Sequence, residues 1–227
     1  MLAVVLGVAG CGSSSSHSST TATTSPASPG TTPAASPTSC HTVPVPPPKG
    51  PQHLAVPHLR LDPSRTYTVT VATNCGTFAF TLDVKQSPNT SASFYYLVKR
   101  GFFNGLTFHR VVAGFVIQGG DPTGTGGGGP GYTVVEAPPP DTQYVQGDVA
   151  MAKTQVQPAG ASGSQFFVVT AANATQSAGL TPDYALLGKV VTGIAVVDMI
   201  DSLPTTPQGD GAPTPSVVMS SVTVSSS

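Results

Sequence analysis

Apolar and polar positions alternate in two short runs early in the chain. Tyr67, Val69 and Val71 are separated by Thr68 and Thr70, and Phe78, Phe80 and Leu82 by Ala79 and Thr81. A period of two places each apolar set on one face of a strand, so each run predicts a strand with one buried side. Asn74-Cys75-Gly76 lies between them as a turn signal, and the two runs together predict an antiparallel hairpin. The period then lengthens. Ser87-Pro88 offers a capping hydroxyl and a proline at the first helical position, Phe94, Leu97 and Val98 share one helical face, and Gly101 stops the helix. Further strands are expected at Leu106–Val112, Phe115–Gln118, Gly147–Ala152, Gln165–Thr170, Tyr184–Val191 and Ser216–Val224. Ile194–Ser202, with Ile194, Val197 and Ile200 three residues apart, predicts a second helix. Short strands in this number, with wide loops and few helices, indicate a β-rich domain, and closure into a barrel would remove the exposed edges.

The N-terminal third has a different pattern. Residues 2–10 are small and apolar and run into Val8-Ala9-Gly10-Cys11, which resembles the lipobox of a bacterial lipoprotein. That resemblance implies cleavage before Cys11, attachment of a lipid to that cysteine, and acyl chains as the anchor, the apolar segment being too short to span a bilayer. Residues 12–50 are Ser, Thr, Pro, Ala and Gly almost throughout, a composition that buries too little apolar surface to offset its ordering entropy. The expected layout is a signal peptide at 1–10, a disordered tether at 11–60 and a folded domain at 61–227, with the protein on the extracytoplasmic face of the cell membrane. Two other cysteines remain. Cys40 and Cys75 could form one disulfide in an oxidising compartment, or be unrelated thiols with Cys75 buried as a small hydrophobe. Only 8% of the 227 residues are charged and the formal net charge is −1, so no basic field exists to recruit nucleic acid or an anionic membrane surface. The five histidines show no ligand spacing with these cysteines, and neither a metal nor another cofactor is expected.

The chemistry-bearing residues concentrate in Phe108-His109-Arg110-Val111-Val112-Ala113-Gly114-Phe115-Val116-Ile117-Gln118-Gly119-Gly120-Asp121. An arginine and a glutamine inside an apolar, strand-like run must be paired or must face something that needs them. Gly163-Ser164-Gln165-Phe166-Phe167-Val168-Val169 repeats the theme of an amide beside aromatics. These two blocks, in this order, resemble the cyclophilins, a family of peptidyl-prolyl cis–trans isomerases, and the likeness extends over about residues 65–225. The resemblance implies a mainly β fold, a closed eight-stranded antiparallel barrel capped by two α-helices. It also implies isomerisation of X–Pro bonds in unfolded or flexible Pro-containing polypeptides by a monomer, and with the lipobox-like N-terminus the expected clients are those outside the cytoplasm.

Within that resemblance Arg110 stands at the catalytic arginine and Gln118 at the glutamine that steadies it and bonds the substrate. Phe115, Val116, Phe167, Leu180 and Tyr184 would build the proline pocket, and Gln165 would line the groove. Ala152, Lys153 and Thr154 match the segment whose backbone pairs with the peptide. Strict alternation puts Arg110, Val116 and Gln118 on one face but Phe115 on the other, so a bulge or kink is expected at Ala113-Gly114. The chain also departs from the family pattern. Lys153 stands where asparagine is usual, Val116 where methionine is common, and Tyr184 where many members have histidine. Gly179 occupies the usual indole position, which implies that cyclosporin lacks its ring contact. His109 would point away from Arg110 and serve structure. Gly124–Gly129 matches G-x-G-x-x-G, yet Pro130-Gly131 follows instead of a helix, so a dinucleotide site is not expected. Two other function classes fit the same residues: a binding module holding Pro-containing segments without turnover, and a scaffold.

Overall fold

A computed structural model of the chain describes residues 39–227. The expected signal peptide, Cys11 and the first part of the tether lie outside the described residues. The elements are β1 (Tyr67–Thr73), β2 (Gly76–Leu82), α1 (Pro88–Lys99), β3 (Thr107–Val112), β4 (Val116–Gly119), β5 (Val134–Val135) and β6 (Asp148–Met151). They continue with β7 (Ala161–Ser162), β8 (Phe166–Val169), α2 (Ala174–Ala178), β9 (Leu186–Thr192) and α3 (Ile194–Asp201). The last are β10 (Thr205–Thr206), β11 (Asp210–Pro213) and β12 (Val217–Ser226). Eight strands hydrogen-bond in the ring β3-β12-β1-β2-β9-β6-β8-β4, and pairing of β4 with β3 closes it. A closed antiparallel barrel leaves none of these strands as a free edge.

The alternation in β1 and β2 becomes burial: Val69, Val71, Phe78 and Phe80 have no exposed surface. They form the barrel interior with Phe94 and Leu97 from α1, Val197 and Ile200 from α3, and Phe166 from β8. Phe94 stacks on Phe103 at 4.6 Å between ring centroids, and Phe166 meets Phe94 and Phe108 edge-on. A second, smaller apolar cluster lies apart from this interior. Val116, Tyr144, Ala150, Phe167 and Val169 form it, with Phe115, Leu180 and Tyr184 packed on top. Neighbouring Phe166 and Phe167 thus belong to different clusters, as a period of two requires.

Several local expectations shift. Ser87 makes no side-chain cap on α1. Instead the Glu136 carboxylate, from a distant loop, accepts the Asn89 N–H at 3.2 Å and the Thr90 N–H at 2.9 Å. An anion there complements the unpaired amides and dipole of the first turn, so the cap is tertiary. In α3 the buried side chains are Val196, Val197 and Ile200, while Ile194 at the first turn is exposed. Composition groups the segment 39–60 with the tether, but it lies along the barrel. Cys40 is bonded to Cys75, with 4.0 Å between Cα atoms. The Leu54 N–H donates to Pro130 O at 2.8 Å, and Leu54 and Leu61 pack against the main core. Low hydrophobicity along a segment does not prevent it from being ordered by contacts on a surface already folded. Among the described residues no helix is long and apolar enough to cross a membrane.

Candidate active site

Strands β3 and β4 form a hairpin whose register sets Arg110 directly opposite Gln118 and Val112 opposite Val116. Their side chains therefore share a face across two strands, instead of along one. The irregularity expected at Ala113-Gly114 is the hairpin turn itself. Gly114 takes φ +70°, the Phe115 N–H donates to Val112 O at 2.9 Å, and Phe115 rides on the turn. Its carbonyl accepts from Thr170 at 2.9 Å and from Ala171, which ties the turn to the end of β8. A separate bulge occurs at His109, where the register slips between Phe108 and Arg110. His109 is largely buried with neither ring nitrogen hydrogen-bonded, and burial pushes its pKa down, so the ring is neutral at pH 7.

Arg110 is held from two sides. Its Nε and Nη2 donate to the two carboxylate oxygens of Asp210 at 2.7 and 2.8 Å, and Nη1 donates to Gln118 Oε1 at 3.3 Å. Asp210 arrives on β11, which pairs with the end of β3 through Asp210 opposite Val112 and Gly211 opposite Val111. The hydrogen bonds to Asp210 hold the Arg110 pKa above its already high ordinary value, and those from Arg110 hold Asp210 below the usual carboxylate range. Of the five guanidinium N–H groups, three are engaged and two are not, and the side chain lines the slot beside it.

That slot is a small cavity of about 110 Å³. It is lined by nine of the residues singled out in the sequence: Arg110, Phe115, Val116, Gln118, Ala152, Lys153, Phe167, Leu180 and Tyr184. Phe167 meets the Tyr184 ring edge-on at 5.4 Å, and Lys153 Nζ lies 5.4 Å from the Tyr184 ring centroid. Thr154 and Gln165 line an adjoining cavity of about 320 Å³, which shares Gln118, Ala152 and Lys153 with the slot. Its far rim is the glycine-rich loop Gly126–Gly131. The amides of Ala152 and Thr154 are already engaged, by Gln165 O and Gln157 Oε1. The Thr154 carbonyl in turn accepts the Gln157 N–H at 3.2 Å, so the expected main-chain pairing with a peptide is narrowed to the Ala152 and Lys153 carbonyls and the Lys153 amide.

A relay of side-chain amides joins the two cavities. Gln165 Nε2 donates to Gly126 O and Gly128 O, both at 2.9 Å, so its Oε1 is left to accept from Gln118 Nε2 at 3.0 Å. Gln118 Oε1 is thereby turned toward Arg110. The loop itself is gripped from below by buried Asp121, which accepts from the Thr123 and Gly126 amides. Burial raises the Asp121 pKa, but the hydrogen bonds from Thr123, Gly126 and Gly128 outweigh it and the carboxylate stays ionised at neutral pH. A Cβ on Gly128 would lie 2.0 Å from Asp121 Oδ1, so a side chain there would push the carboxylate off the loop amides.

Two contributors escaped the sequence reading. Asp210 sits in a Gly-Asp-Gly stretch without periodicity, and only the β11–β3 pairing brings it to Arg110. Tyr144 is fully buried behind the slot, where its hydroxyl donates to Tyr184 O and accepts the Tyr184 N–H at 3.2 Å. Burial pushes its pKa up, so it remains a neutral phenol. Gly179 terminates α2 at φ +65°, and a Cβ there would point into open space. The Cys40–Cys75 bond forms at the β1–β2 turn, away from the residues of either cavity. Among the described residues no group of three or more His, Cys, Asp or Glu could hold a metal ion.

Comparison with known proteins agrees with this geometry. Residues 68–224 match the model of the cyclophilin type peptidyl-prolyl cis-trans isomerase/CLD family. A peptidyl-prolyl cis-trans isomerase of Helicobacter pylori is 36% identical over 154 residues, covering 62% of this chain and 90% of that protein. Peptidyl-prolyl cis-trans isomerase A of Mycobacterium tuberculosis is 34% identical over 180 residues, covering 72% and 94%. The crystal structure of a Cryptosporidium parvum cyclophilin type isomerase, determined in the presence of the dipeptide Ala-Pro, superposes with a TM-score of 0.62 at 28% identity. It covers 70% of this chain and 98% of that one. With the motif residues, the closed barrel and the arginine-rimmed slot in one place, the chain belongs to the cyclophilin family of peptidyl-prolyl cis–trans isomerases.

Proposed function

We propose that Arg110 is the catalytic donor of this isomerase, and that it works on Pro-containing segments of extracytoplasmic polypeptides from a lipid anchor at Cys11. Rotation about an X–Pro bond must break amide resonance, a barrier of about 18–20 kcal/mol. No covalent bond is made or cleaved, so the reaction calls for neither a nucleophile nor a proton carrier. As the bond twists, the proline nitrogen turns pyramidal and regains a lone pair. A guanidinium N–H beside the ring interacts more strongly with that nitrogen than with the planar amide, and this difference is what lowers the barrier.

The observation that carries the reading is the fixed guanidinium at the slot's rim, tied to Asp210 and Gln118 with two N–H groups to spare. In this reading Phe115, Val116, Phe167, Leu180 and Tyr184 hold the pyrrolidine ring, and Gln118 orients the arginine. Ala152, Lys153, Thr154 and Gln165 line the path of the flanking peptide. The dipeptide Ala-Pro present with the Cryptosporidium relative is the ligand chemistry this slot would take. The lipobox-like Val8–Cys11 supports the anchor, and the Cys40–Cys75 bond suits an oxidising compartment.

A protease-coupled assay on Pro-containing tetrapeptides tests the activity. Acceleration that disappears in Arg110→Ala supports the donor role, whereas peptide binding without acceleration means the chain is a binding module. Feeding cells a clickable palmitate analogue tests the anchor. Label and membrane fractionation should both be lost in Cys11→Ser, and an unlabelled wild-type protein rules the anchor out.

A further inference from the structure

Residues 40–61 precede the part of the chain that matches the family, and they are laid on the barrel as an extended strap. Its start is fixed at the β1–β2 turn. Besides the disulfide, the His41 N–H donates to Asn74 O at 2.9 Å, and Asn74 Nδ2 returns a bond to His41 O at 2.6 Å. Lys49 Nζ then donates to Phe102 O at 2.8 Å. The next two contacts are the informative ones. The Gly50 N–H donates to Pro122 O at 3.2 Å, and the Leu54 N–H to Pro130 O at 2.8 Å. Those carbonyls stand at the entry and exit of the glycine-rich loop that rims the larger cavity.

The approach is close. Gly131 takes φ +93°, and a Cβ there would lie 2.5 Å from Gln52 O and 2.7 Å from His53 Cα, so strap backbone fills the space of a side chain. A run of glycines has little of its own to specify one conformation, because it lacks side chains and loses the most entropy on ordering. Here it is clamped between Asp121 and Gln165 on the inside and the strap on the outside.

We infer that the 40–61 strap is a positioning element for the larger cavity, deciding through the glycine-rich loop which side chain near the substrate proline is accepted. It acts on the loop in two ways. It sets the span between Pro122 and Pro130, and so the shape of the rim. It also keeps Gly126 O and Gly128 O where they capture Gln165 Nε2, which is what orders the amide relay toward Gln118. The loop lends no residue to the proline slot and reaches it only through Gln118, where the relay ends and the two cavities meet. This inference rests on the isomerase reading.

The test uses the full chain in three forms: oxidised wild type, Cys40→Ser, and Cys40→Ser with Leu54→Pro, which removes the donor to Pro130 O. Selectivity in kcat/KM is measured across tetrapeptides that differ in the residues flanking the proline. Loop geometry is read separately from the NMR shifts of the Gly126–Gly129 amides and the Gln165 side-chain amide. The expected result is that the spread in kcat/KM across the panel contracts by about twofold to tenfold in the double variant, the reach of one or two lost hydrogen bonds. The differences between peptides should sit in KM, any fall in kcat passed along the relay to Arg110 should be the same for every peptide, and the loop amides should shift. Lys49→Met should move the same signals less, and it stands in if the double variant fails to fold. Uniform losses that leave the spread in kcat/KM as it was, or an unchanged panel, overturn the inference. A wild-type protein that accelerates no peptide would instead refute the isomerase reading, while the NMR comparison would still report whether strap and loop are coupled.

Discussion

Replacing Arg110 by alanine removes one donor from the slot and leaves Asp210 and Gln118 without their partner. The fold should hardly notice. Arg110 and Asp210 side chains are 42% and 53% exposed, and ion pairs with that much solvent contribute about 0.2–1 kcal/mol. Catalysis should respond far more. A preorganised donor aimed at an atom that becomes an acceptor only in the transition state is worth about 2.7–4 kcal/mol, so kcat/KM should fall about 100- to 1000-fold. Because the planar ground state does not use this hydrogen bond, the loss belongs in kcat with KM little changed. Arg110→Lys separates charge from geometry. An ammonium supplies three N–H groups from a single point, whereas the planar fork here addresses Asp210, Gln118 and the slot at once. Lysine should therefore recover only part of the activity, remaining about 10- to 100-fold below wild type. The protease-coupled assay at low temperature reads the rates, and near-UV circular dichroism checks that the barrel persists. An intact Arg110→Ala barrel that keeps its activity within about threefold would refute the donor argument, whatever happens with lysine.

Asp210→Asn should lower kcat/KM by about twofold to fivefold, the worth of an exposed pair that orients the guanidinium without making the hydrogen bond to substrate. Because Arg110 holds the Asp210 pKa below the ordinary carboxylate value near 4, that orientation is complete above it and is lost only as pH falls through the lowered folded value. The rate profile should accordingly be flat from about pH 5 to 9, and a bell-shaped profile would mean that a proton moves in the reaction. His109 titrates stability instead. Burial lowers its folded pKa, so the unfolded chain binds more protons below about pH 6.5 and stability declines as pH falls from there. The Tm of His109→Leu should not decline over that range, and an equal decline in both proteins would assign the effect elsewhere. Gly188→Ala tests barrel closure, since its Cβ would lie 1.8 Å from Thr81 O across the β2–β9 pair. Backbone must move to admit it, at about 2–4 kcal/mol and a Tm lower by about 5–15 °C by calorimetry.

Periodicity alone placed β1, β2, α1 and α3 to within a few residues, because burial of one face is written into spacing. The pair of amide-and-aromatic blocks was enough to indicate the family, and through it the closed barrel and nine residues of one cavity. Tertiary structure decided everything that depends on which distant segments meet. It turned a suspected bulge at Ala113-Gly114 into a hairpin, which puts Arg110 and Gln118 side by side by register. Asp210 was brought to the guanidinium from 100 positions away, and Tyr144 was set behind Tyr184 from 40 positions away. Residues 40–61 were drawn onto the glycine-rich loop although their composition resembles that of an unfolded tether. Local sequence encodes which side of an element is apolar. Hydrogen bonds and ion pairs between remote loops carry no period, so they become visible only once the barrel has closed and the loops have neighbours.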